Sequence, residues 1–247
     1  MSLHAASVTT VSGAEADTRP LRFRYMPWNQ LAAPSFAAML PWGAAIIGWV
    51  ALFATDNPGR TAGPGAHGAH VRNGLIMTVA MMSAFSVGLC RYVEQASFHR
   101  QSTRTVSVAY GMYIVCWVGA SVVLHAATEA FVAATSTATG VLVASSWCVA
   151  SQTGRRRDRA TQRCIRSHPI RQATPYRDTT RLAIQVAISC IAVCISAMVL
   201  VALRPTIATV GVVTALLFVE RALPQRPRLA LGFAYALVGA VVVIGLT

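Results

Sequence analysis

Seven stretches of this chain hold no Asp, Glu, Lys or Arg and approach the length needed to cross a lipid bilayer. They run over Ala38–Thr55, Gly74–Cys90, Val106–Ala126, Ala130–Ala150, Leu182–Leu203, Thr206–Val219 and Leu229–Leu246. A spanning helix takes about 20 mostly apolar residues. Backbone groups in lipid must be paired within the segment or around a closed barrel. Several of these runs are dense in Val and Ala without alternating polar residues, which favours helices over a barrel. The sixth run is short, and only Arg204-Pro205 separates it from the fifth. Those two runs form either a tight helical hairpin or a pair with one re-entrant member. The expected fold class is therefore all-α, a polytopic transmembrane helical bundle of about seven spans.

Composition agrees with that reading. Of 247 residues, 55% are hydrophobic and only 12% charged, against roughly 25% charged in soluble domains. Mean hydropathy is +0.53. All 21 basic residues are Arg, and the net charge is +13. Such an excess on a soluble domain would suggest a nucleic-acid partner. Here the Arg residues occupy short polar stretches between apolar runs, so no nucleic-acid partner is expected.

Arg placement gives an orientation, because cytoplasmic loops carry the positive excess. With a cytoplasmic N-terminus, 18 Arg fall inside, nine of them between Arg155 and Arg181. The outside loops keep Arg60, Arg72 and Arg204. The expected organisation is a cytoplasmic tail over 1–36 and one transmembrane domain over 37–247, with an Arg-rich cytoplasmic loop at 151–181. The first 36 residues carry Glu15 and Asp17 and no apolar core of a signal peptide. The expected location is the cytoplasmic (inner) membrane.

Cysteines at 90, 116, 148, 164, 190 and 194 all avoid the outside loops on this topology, so a secreted disulfide framework is excluded. Cys190, Cys194 and Met198 recur every four residues and share one helix face. Cys190 lies about 12 Å into its span. Three soft ligands shielded from water suit Cu(I) rather than hard cations, although Cys and Met also serve as plain packing residues. Cys164 and His168 stand four apart in the Arg-rich loop, where neighbouring Arg residues favour the thiolate. Met77 and Met81 share a face of the second span. His67 and His70 sit in a Gly-rich outside loop, and His125 and Glu129 near the outer end of the third span. No Lys-bearing phosphate loop, His-Glu-x-x-His or Gly-x-Ser-x-Gly occurs.

From Gly74 onward the order of motifs resembles a family of bacterial predicted metal-binding integral membrane proteins. The shared elements are the Met-rich span Met77-x-x-Ala80-Met81-Met82, the loop pair Cys164 and His168, the Cys190, Cys194 and Met198 stripe, and Val219-Glu220-Arg221-Ala222-Leu223-Pro224. The chain departs from the pattern in three places. Ser83-Ala84-Phe85 stands where a Pro is expected, Val193 replaces one Cys of a doublet, and His168 replaces the second loop Cys. The resemblance implies a metal-binding protein that handles or delivers copper. The expected ligands are Cys190, Cys194, Met198, Cys164, His168, Met77 and Met81. The expected partners are the lipid bilayer and a copper-dependent enzyme or other membrane subunits. The competing reading is a non-catalytic accessory or structural subunit of a membrane complex, whose sulfur groups only pack.

Overall fold

The computed structural model describes residues 35–54, 66–97, 102–153, 175–203, 206–222 and 228–244. Among them every regular element is a helix: α1 (Phe36–Ala54), α2 (Ala66–Met82), a 3₁₀ turn (Ala84–Ser86), α3 (Val87–Ala96), α4 (Ser102–Ala134), α5 (Thr137–Thr153), α6 (Pro175–Leu203), α7 (Ile207–Ala222) and α8 (Arg228–Ile244).

Hydroxyl residues start three of these helices, as side-chain oxygens that satisfy otherwise orphaned N–H groups should. The Ser35 hydroxyl accepts from Ala38 N at 3.3 Å, Ser136 from Thr139 N at 3.2 Å, and Thr206 from Thr209 N at 3.2 Å. Pro175 opens α6, where a missing N–H costs nothing. Thr206 and Ser136 thus set short connections, and α6 and α7 are two separate helices.

Four segments are long and apolar enough to cross a membrane: Phe36–Ala54, Gly74–Ala96, Ser102–Ala134 and Pro175–Leu203. Three further apolar helical segments are shorter: Thr137–Ser151, Ile207–Glu220 and Gly232–Val241. Helix bounds overrun the apolar runs. α4 continues to Ala134, and α6 begins at Pro175, inside the stretch read as loop, because polar residues at a helix end interrupt hydropathy without breaking the hydrogen-bond ladder. α5 likewise runs to Thr153, so the interhelical segment narrows to 154–174. Large apolar side chains point away from the bundle, among them Ile47, 70% exposed, and Phe233, 73% exposed. A collar of this kind suits a lipid environment.

α4 is the hub. It packs along α6, α2 and α3, while α8 lies on α5 and α1 lies on α2. Two close approaches depend on glycine. A Cβ at Gly48 of α1 would stand 2.8 Å from Ala80 Cα of α2, and one at Gly239 of α8 would stand 2.6 Å from Ser145 Cβ of α5.

The second span is interrupted where the related pattern has a proline. Ser86 N and Ser86 Oγ both donate to the Ser83 carbonyl, at 3.0 and 2.7 Å. Ser83 Oγ and Tyr110 Oη lie 2.8 Å apart, tying the break to α4. The Ser86 hydroxyl adds a local side-chain-to-backbone bond at the Ser83 carbonyl, and the chain breaks here without proline. Phe85 in this turn packs against Phe218 of α7 at 4.6 Å, and Phe218 also stacks on Trp42 of α1 at 6.4 Å.

Candidate metal site

Cys190, Cys194 and Met198 lie on one buried face of α6, each at most 5% exposed. The four-residue spacing does what helix geometry requires, holding three sulfur atoms along one stripe. That stripe faces α4. Tyr113, fully buried, donates its hydroxyl to Cys190 Sγ at 3.5 Å.

The two helices run in the same direction. A Cβ at Gly140, at the start of α5, would lie 3.0 Å from Leu203 Cδ2 and 3.6 Å from Phe131 Cε1. The C-terminal ends of α4 and α6 therefore meet at one end of the bundle. From the Tyr113–Cys190 contact they advance together. Trp117 of α4 comes level with Cys194 and Ser121 level with Met198, all of them buried. Trp117 Nε1 is buried without a hydrogen-bond partner. An indole N–H left this way costs stability, which makes Trp117 a feature that packing alone does not explain.

Met77 and Met81 come from α2, at 3% and 0% exposure. Two contacts fix how α2 lies on α4. Ser83 meets Tyr110, and Gly74 meets the His125 ring, so the helices are antiparallel. Met81, two residues before Ser83, falls near the level of Tyr113 and Cys190. Met77, three residues beyond Gly74, falls near Ser121. On α4, Trp117 and Ser121 sit angularly between Tyr113, which meets α6, and Tyr110 and His125, which meet α2. All five sulfur residues belong to one continuous buried cluster. The methionines and the cysteine stripe thus share a core and a depth, with α4 packed against both helices.

Cys164 and His168 lie outside the described residues. Among the described residues no group of three or more His, Cys, Asp and Glu could hold a metal ion. The α6 stripe itself carries two thiols and one thioether, since Met198 joins Cys190 and Cys194 on the same buried face. Soft donors of this kind favour Cu(I) over hard cations such as Mg or Ca.

The sequence reading missed Tyr113 and Trp117. Their signal is visible in retrospect: Tyr113, Trp117 and Ser121 repeat every four residues, the same period as Cys190, Cys194 and Met198. Two parallel helices in register would present such stripes to one another. Glu220, from the segment resembling the related pattern, is 3% exposed near the end of α7.

No curated protein and no solved structure matches this chain. A family model described as copper chaperone, PpoB2, matches residues 74–244, from the start of the Met-rich span through the end of α8. That match takes in α4, α6 and both methionines, and the chain belongs to this copper chaperone family.

Proposed function

We propose that the protein is an integral membrane copper chaperone that binds Cu(I) through Cys190, Cys194 and Met198 and passes it to an acceptor. Met77 and Met81 supply thioethers from the facing side of the core, and Cys164 and His168 form the cytoplasmic entry. Seven spans with the N-terminus inside place the Arg-rich segment and that entry on the cytoplasmic face. A copper-dependent membrane enzyme is the acceptor class that fits.

The observation that carries this reading is the buried sulfur stripe on α6, with a tyrosine hydroxyl directed at its first thiol. Soft ligands at successive helical turns let the ion exchange neighbours one at a time without becoming free. Low polarity around the stripe disfavours hydrated hard cations, which would have to shed water to enter. The family match supports copper as the cargo.

The test uses the full chain in detergent. Anaerobic Cu(I) titration against a chromophoric chelator reads stoichiometry and affinity for wild type and for Cys190→Ser with Cys194→Ser. Loss of the tightest copper in the variant supports the reading. Unchanged stoichiometry and affinity, with thermal stability alone altered, would assign these sulfurs to packing and favour an accessory subunit.

A further inference from the structure

His125 lies on α4 three turns beyond Tyr113, outside the cysteine stripe. Its Nδ1 stands 2.8 Å from the Ser121 carbonyl oxygen. A carbonyl can only accept, so Nδ1 carries the proton. In the neutral imidazole Nε2 then keeps its lone pair. This is how metal-binding histidines are usually held, with the non-ligating nitrogen fixed by a backbone carbonyl.

The ring is pressed against α2 at Gly74. A Cβ there would stand 2.8 Å from both Cε1 and Nε2. Only glycine admits the imidazole this close, so the lone-pair nitrogen lies at the α2 surface. One helical turn further along α2 is Met77, 3% exposed. The nearest hydroxyl on α2 is occupied, since Thr78 Oγ1 donates to the Gly74 carbonyl at 2.8 Å. The charged residues flanking this end of the helix pair, Arg72 and Glu129, are exposed.

We infer that His125 Nε2 and Met77 form a second Cu(I) site, at the end of the bundle that the arginine distribution assigns to the outside. One imidazole nitrogen and one thioether make a low-coordinate site suited to a soft monovalent ion. It is weaker than a pair of thiolates, as a release site should be. Met77 then belongs to both levels, and copper passes from the cysteine stripe toward His125. The inference rests on copper being the cargo, as proposed above.

The experiment takes full-length protein carrying Cys164→Ser and His168→Gln, which removes the proposed entry pair, loads it with Cu(I) anaerobically and counts bound metal by chelator competition. X-ray absorption at the copper edge reports imidazole scattering alongside. This background is expected to hold about two equivalents, in a tight and a weaker class. His125→Ala should lose the weaker class and the imidazole signal. Gly74→Ala, which displaces the ring while leaving the histidine present, should do the same. His125→Gln guards against misfolding, with melting temperature measured beside it. Retention of both classes and of the imidazole signal in His125→Ala and His125→Gln overturns the inference. The cysteine reading stands or falls separately: the double serine variant should lose the tight class and keep the imidazole signal.

Discussion

The Tyr113 hydroxyl offers a quantitative handle on the proposed copper site. It donates to Cys190 Sγ at 3.5 Å within the buried core. In the metal-free protein a neutral thiol is a poor acceptor, and the bond contributes little. When Cys190 ligates Cu(I) as a thiolate, the same bond gains charge assistance. Hydrogen bonds to charged groups contribute about 1.5–3 kcal/mol, against about 1 for neutral pairs. The difference of about 1 kcal/mol corresponds to an affinity change of roughly five- to tenfold. Tyr113→Phe should therefore raise the Kd for Cu(I) by about that factor, while the phenyl ring keeps the core filled. Chelator competition under anaerobic conditions measures the change, and Cys194→Ala beside it gives the larger loss for comparison. An unchanged Kd in Tyr113→Phe, with a normal melting curve, would refute the idea that this hydroxyl supports a metal-bound thiolate.

Other substitutions test the packing that positions the site. Gly48→Ala puts a Cβ 2.8–2.9 Å from the Ala80 Cα, Cβ and N, so α1 and α2 must separate at a cost of about 1–3 kcal/mol. Gly43→Ala on the same helix meets nothing within 4 Å and should be neutral or stabilising by up to about 1 kcal/mol; paired melting curves in detergent distinguish the two. Gly239→Ala drives a Cβ into the Ser145 hydroxyl of α5 and should lower the melting temperature. Ser145→Gly in the same chain should recover part of that loss, and a double variant no better than the single would exclude this contact as the cause. Ser83→Ala removes the partner of Tyr110 Oη and should cost about 1 kcal/mol if serine side chains anchor the break in the second span.

Much of this was legible in the sequence for a simple physical reason. Long uncharged runs admit few structures in lipid, so Ser102–Ala134 and Pro175–Leu203 emerge as helices where Val106–Ala126 and Leu182–Leu203 were read. The sulfur stripe was equally visible, because Cys190, Cys194 and Met198 share a face by spacing alone. What lies across from that stripe was not. Pairing Tyr113 with Cys190, or His125 with Gly74, depends on which helices neighbour one another and in which direction. Hydropathy is silent on both. Helix ends were also misjudged, since Pro175 to Arg181 is polar yet continues α6. The break at Ser83–Ser86 carries no proline to mark it, only two serines, one bonded to the Ser83 carbonyl and the other to Tyr110.

The central claim is that sulfur from α6 binds the copper. X-ray absorption on the Cu(I)-loaded full chain reads the ligand atoms directly. The account predicts a sulfur-dominated shell in wild type that loses sulfur in the Cys190→Ser, Cys194→Ser variant. A shell of nitrogen and oxygen alone, identical in both proteins, would contradict it.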